Sequence, residues 1–151
     1  MQLTRFTDLG LRALMLLAAA SDDGRRVTTR SIATNVHASE HHVAKAVTQL
    51  AELGLVESQR GRGGGLSLTA QGRTATVGQV VRRLEGDADV VDCVGTRPCP
   101  LLPACRLRRA LADAKEAFYR ELDGHTIGDL TDNAVLPLIS SLPLLPGTAG
   151  R

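Results

Sequence analysis

Residues 28–69 read TTRSIATNVHASEHHVAKAVTQLAELGLVESQRGRGGGLSLT, and this stretch decides the fold. Thr28 suits the N-cap of a short helix over about 29–36, with Ile32, Ala33 and Val36 turned inward. His37 and Ala38 then make a turn. Ser39 can cap a second helix, in which Val43, Val47 and Leu50 recur at i, i+4 and i+7. Gly54 follows at the C-terminal end, where a left-handed residue is often needed. Two short alternating segments, 55–60 and 66–69, flank Gly61–Gly65 and read as a β-hairpin.

Working outward, Leu9, Ala13, Leu16, Leu17 and Ala20 mark a first helix over Thr4–Ala20, closed by the turn residues 21–24. Helix, helix, turn, helix, hairpin is the order of a winged helix-turn-helix domain. Beyond it, Thr76–Gln79 resembles a capping box that opens another helix, with Val80, Val81 and Leu84 inside. A loop from Gly86 to about Pro103 holds cysteines and prolines. A long helix over about 104–122 follows. Its apolar stripe is Leu107, Leu111, Ala114, Phe118 and Leu122, near the spacing of a coiled-coil seam. Thr126 can cap a last short helix through Leu130. The expected organisation is therefore mainly α with a small hairpin: a winged helix-turn-helix at 1–75, a cysteine loop and long dimerisation helix at 76–135, and a flexible tail at 136–151. There is no internal repeat.

The chain has 151 residues, enough to bury a core without covalent staples, and aromatics at 2% make that core aliphatic. The net charge of +2 forces no reading, but its distribution is informative. Residues 24–65 hold six Arg or Lys against three acids, whereas 85–92 hold four acids and no base. That division suits a protein that meets DNA with one face. The first apolar run, 9–20, is interrupted by Arg12, lacks the flanks of a signal peptide and is too short to span a bilayer. A cytoplasmic protein without a membrane partner is expected, in a compartment where a structural disulfide is not.

The second helix of a helix-turn-helix pair enters the major groove. Here it starts at Ser39, and Ser39 and the outward His41, His42, Lys45 and Gln49 are the expected DNA contacts, carrying the donors and acceptors that base edges require. Thr28, Thr29, Arg30 and Ser31 open the preceding helix, whose free N–H groups suit a phosphate. Arg60 and Arg62, flanked by glycines, can enter a minor groove or follow the backbone. Taken singly, each feature has a plainer explanation. A charged helix face is usually only solvated, and 61–65 could be an ordinary loop. It lacks the Lys-Ser/Thr ending of a nucleotide-binding loop. His41 and His42 diverge by about 100° around the helix and are poorly placed to share a metal.

Cys93, Cys99 and Cys105 are separated by five residues each. Thiolates are the usual ligands of iron–sulfur clusters, and structural zinc sites usually show tighter pairs. Pro98, Pro100 and Pro103 restrict the loop and reduce the entropy lost on ligation. A cluster, a zinc site, a thiol sensor and inert cysteines all stay open on spacing alone. No catalytic constellation is visible, so an enzyme is not expected.

The start Leu3–Asp8, the glycine-rich wing 60–66, Arg83–Gly86 and the cysteine triplet together resemble the winged-helix iron–sulfur regulators of the IscR, RirA and NsrR types, over Met1 to about Asp132. In the IscR type a His three residues after the last Cys is the fourth ligand; here Arg108 stands there and cannot ligate. In the NsrR type an Asp on the first helix of the partner subunit completes a 4Fe–4S cluster, and Asp8 matches that position. Asp8 could equally be a surface carboxylate paired with Arg12 at i+4. Glu85, Asp92 and His125 are weaker candidates. The resemblance implies a homodimeric repressor that binds double-stranded operator DNA and releases it when nitric oxide attacks the cluster. The cluster is expected to be 4Fe–4S, with 2Fe–2S left open. The alternative within the family is a regulator that senses iron or cluster supply.

Overall fold

The computed structural model describes residues 2–59, 64–86, 89–131 and 135–142. Helix α1 (Arg5–Asp23) is the central rod. The Thr4 hydroxyl caps it by accepting from the Thr7 N–H (3.3 Å), and Gly24 ends it at φ 63°. Its buried face is wider than the expected stripe. Leu14, Ala18 and Ala19 are buried together with Leu9, Ala13, Leu16, Leu17 and Ala20. A helix apolar on most sides must be surrounded, and α1 packs against elements from both the hairpin and the C-terminal half.

Helices α2 (Thr29–Asn35) and α3 (Glu40–Glu52) form the helix-turn-helix. Thr28 and Ser31 make a reciprocal capping box at the start of α2, worth about 1 kcal/mol for such a cap. His37 takes the left-handed conformation at φ 52° in the turn, and the Ala38 N–H returns to the Ala33 carbonyl (3.0 Å). Ser39 caps α3, which buries Val43, Ala46, Val47 and Leu50. Gly54 is left-handed at φ 73°, as its position after α3 suggested.

Strands β1 (Val56–Gln59) and β2 (Gly65–Leu68) pair antiparallel, with Val56 opposite Leu68 and Gln59 opposite Gly65. The Leu66 N–H reaches across to the Val27 carbonyl (2.8 Å), which ties the wing to the segment before α2. The short helix α4 (Ala70–Thr74) was not expected. Five residues are too few to show a period, and its signal is local: Thr69 caps it by accepting from the Gly72 N–H (2.9 Å).

Helix α5 (Val77–Glu85) opens with the expected Thr76–Gln79 capping box and buries Val77, Val80 and Val81. It crosses α6 (Arg106–Leu122) where Gly78 lies against the Tyr119 carbonyl and Asp123; a β-carbon there would stand 2.6 Å from that oxygen. The crossing is pinned by charge. Arg82 bonds Asp123 (2.8 Å) and stacks over the Tyr119 ring at 4.7 Å, while the Thr76 hydroxyl donates to Asp123 (2.8 Å). The long helix begins later than expected: Leu102–Ala104 form a 3-10 turn and Cys105 is the N-cap.

The segment after Thr126 is a 3-10 turn, Gly128–Thr131, rather than an α-helix. The chain from 136, expected as a loose tail, opens with helix α7 (Leu136–Ser140), whose Ile139 is buried against the core. Arg25 donates to the carbonyls of Ile139 (3.2 Å) and Leu142 (3.3 Å). One apolar cluster runs from Leu14 through Val80 and Tyr119 to Ile139, across the expected boundary at residue 75. Among the described residues no helix is long and apolar enough to cross a membrane.

Candidate DNA-reading surface and cysteine loop

The structure turns one face of α3 to solvent. His41, His42 and Lys45 are exposed and Gln49 is half-buried, because Val43, Val47 and Leu50 hold the opposite face in the core. The Ser39 hydroxyl accepts from the His42 N–H (3.3 Å) and lies 2.8 Å from His42 Nδ1, which orients that ring. Arg30 is exposed on α2 and pairs with Glu40 at 3.4 Å, bridging the two helices at the entrance of α3. Thr29 is half-buried beside it.

Thr28 and Ser31 are otherwise engaged. The Thr28 hydroxyl accepts from the Ser31 N–H (3.1 Å), and the buried Ser31 hydroxyl donates to the Thr28 carbonyl (2.9 Å). Both side chains take part in the α2 cap, the Thr28 hydroxyl as acceptor and the Ser31 hydroxyl as donor. Arg60 and Arg62 lie outside the described residues.

The cysteines sit where α6 meets the loop before it. Cys93 and Cys99 are in the loop and Cys105 precedes the first turn of α6; all three are half-buried and free. The Cys99 N–H donates to the Cys93 carbonyl (3.1 Å), which folds the loop back on itself. No side chain caps the start of α6, so its first N–H groups have no local acceptor side chain. Among the described residues no three His, Cys, Asp or Glu side chains of one chain converge as a metal-binding set. The structure therefore brings the cysteines to one segment without closing them on a common point.

Asp8 lies on the first turn of α1 and receives a hydrogen bond from Arg12 Nε at 2.7 Å, the i+4 pair named above. Of the weaker candidates, Glu85 is committed elsewhere. It accepts from the Thr4 N–H (2.8 Å) and Thr4 hydroxyl (2.9 Å) and so ties the end of α5 to the start of α1. Burial pushes its carboxyl up, but hydrogen bonds from Thr7 and Thr4 outweigh this and leave it below the ordinary value. Asp92 is exposed, and His125 is exposed with its carbonyl accepting from the Val77 N–H (2.8 Å).

One feature was missed. Asp89, at the head of the loop, forms an ion pair with Arg108 on α6 (2.9 Å). Both line an open cavity of about 500 Å³ with Cys105, Arg106 and Arg109. Sequence offered no signal for this pair, because 19 residues separate two charge types that occur on every exposed face.

A helix-turn-helix with its reading face exposed, a hairpin wing and a cysteine-bearing second half define a winged-helix transcriptional regulator. Residues 3–133 match the model of the Rrf2 family, described as iron-dependent transcriptional regulators, and the chain belongs to that family. It is 54% identical over 142 residues to the HTH-type transcriptional repressor NsrR of Streptomyces coelicolor, covering 94% of this chain and 96% of that one. Identity to the HTH-type transcriptional regulator NsrR of Geobacillus kaustophilus is 41% over 135 residues, covering 88% and 91%. Among solved structures, IscR of T. potens superposes with a TM-score of 0.69 at 25% identity, covering 89% of this chain and 88% of that one. Both NsrR relatives are named as regulators of transcription.

Proposed function

We propose that this chain is a cytoplasmic homodimer that represses transcription by binding double-stranded operator DNA, and that an iron–sulfur cluster responsive to nitric oxide controls the binding. The observation that carries the proposal is the set of three free thiols on one loop and helix start, in a chain so similar to repressors named NsrR. The donor chemistry fits. Soft sulfur ligands that are neither disulfide-bonded nor exposed as a group suit iron. Cys93, Cys99 and Cys105 would hold the cluster, with Asp8 of the partner subunit as fourth ligand and a 4Fe–4S nuclearity favoured over 2Fe–2S. When bound, the cluster supplies iron that nitric oxide attacks.

The rest follows from this chain's own residues. His41, His42, Lys45 and Gln49 would read base edges from α3, Ser39 would orient His42, and Thr29 and Arg30 would meet phosphate. Arg60 and Arg62 would extend the contact from the wing. Residues 1–75 thus carry the DNA contacts, and 76–135 carry the cluster ligands and the dimer seam. The exposed α6 stripe supports a two-fold partner: Leu107 is 65% exposed, and Leu111 and Phe118 are only half-covered. Asp8 bridging to the partner's cysteine loop would tie cluster occupancy to the separation of the two reading helices, which a two-fold operator fixes at about 34 Å.

The family's description as iron-dependent supports a second reading, a sensor of iron or cluster supply. Cys99→Ser tests the cluster itself. Protein purified without oxygen should be coloured in the wild type and colourless in the variant, and an unchanged chromophore would remove the cysteine site. Titrating the wild type with nitric oxide, against an iron chelator, then separates the two signals by which one releases DNA at stoichiometric amounts.

A further inference from the structure

Arg108 sits three residues beyond Cys105, one turn into α6. Its guanidinium is held at 2.9 Å by Asp89, which belongs to the other end of the cysteine loop. The pair therefore closes the loop on both sides: Asp89 precedes Cys93, and Arg108 follows Cys105. Both line the same open cavity as Cys105. The surroundings of Arg108 push its guanidinium up, first through Asp89 and then through Cys93 and Cys105, which places it within the field of two of the three thiols.

Resting on the cluster reading above, we infer that Arg108 is a positioning and charge-tuning residue for the bound cluster, with Asp89 as its counter-charge. The cluster with its thiolate ligands is anionic, and a reduced cluster carries one more negative charge. A fixed cation beside it favours the reduced form, as charge and hydrogen bonds near a cluster do generally. The uncapped first turn of α6 adds N–H groups of the same sign. Asp89 has two effects: it aims the guanidinium and offsets part of its charge.

The two partners of the pair therefore have opposite electrostatic effects and the same structural one. That contrast makes the inference testable. Arg108→Gln, Arg108→Lys and Asp89→Asn would be prepared without oxygen beside the wild type. Iron and sulfide content would be measured first, then the reduction midpoint by dye-mediated titration, with circular dichroism as the fold control. Arg108→Gln should lower the reduced-to-oxidised ratio at fixed potential by about tenfold, or about 59 mV for one electron. Arg108→Lys should recover most of that loss. Asp89→Asn should shift the ratio the other way.

Shifts of equal sign in Arg108→Gln and Asp89→Asn would overturn the charge-tuning role and leave a merely structural clamp. Midpoints that stay unchanged in iron-replete variants would also overturn it while leaving the cluster intact. Wild-type protein that carries no iron would instead remove the cluster reading on which the inference rests.

Discussion

Gly72 has no room for a methyl group. A β-carbon there would press on the Leu55 carbonyl and stand 2.8 Å from Leu68 Cδ1. Placing alanine in a helix recovers about 1 kcal/mol of propensity, while overpacking costs about 1–3 kcal/mol. The backbone oxygen cannot swing aside as a side-chain tip can, so the second effect wins. Gly72→Ala should lose about 1–2 kcal/mol of stability, read as a lower urea midpoint with an unchanged slope. The cause is contact between α4 and the root of the wing, which no local sequence rule announces.

At the scale of elements, the α5–α6 crossing depends on ionisation. Hydrogen bonds from Arg82 and then Thr76, with the Arg82 charge, hold the Asp123 carboxyl below its ordinary 3.8. A depressed folded value contributes stability that is full well above 3.8 and is lost as pH falls through the folded value. Asp123→Asn should therefore be less stable than the wild type at neutral pH, and the difference should shrink below pH 3.8. Urea midpoints measured across that range check both the sign and the window.

The same elements explain what sequence could reveal. Thr28, Ser39 and Thr76 cap helices through hydroxyls that reach N–H groups three residues on, so their signals are local and readable. Arg82–Asp123 and Arg108–Asp89 join residues 41 and 19 positions apart, and neither pair has a pattern that distinguishes it from solvated charge. The cysteines were visible as a triplet, but their arrangement depends on how the loop folds back from Cys93 to Cys99. Ser31 illustrates the reverse limit. Its type suited a phosphate, yet its place three residues after Thr28 draws its hydroxyl into the cap.

At the scale of the molecule, the exposed apolar side of α6 is the surface on which the proposed dimer would close. Leu107 is 65% exposed at the end of the helix farthest from the core contacts of Tyr119. Leu107→Glu should leave the protomer folded, because that side chain adds nothing to its core. If Leu107 is buried in the proposed seam, removing that apolar anchor should cost about 2 kcal/mol, which is about thirtyfold in self-association. Sedimentation velocity should show the shift to monomer, and operator binding should weaken with it; an unchanged dimer would place the seam elsewhere.

Helix α1 carries the Asp8–Arg12 pair near its start and ends at Gly24, shortly before the segment whose Val27 carbonyl accepts from the Leu66 N–H of the wing. Its 19 residues make one unbroken lever about 28 Å long. Tilting such a lever by about 5° about its middle swings each tip by roughly 1 Å, comparable to the helix shifts known in switching proteins. In the proposed dimer, a partner that engages Asp8 would compete with Arg12 for the carboxylate, and a rod gripped by the core along its length would pass such a pull on as a tilt of the whole, with no part of the body having to melt.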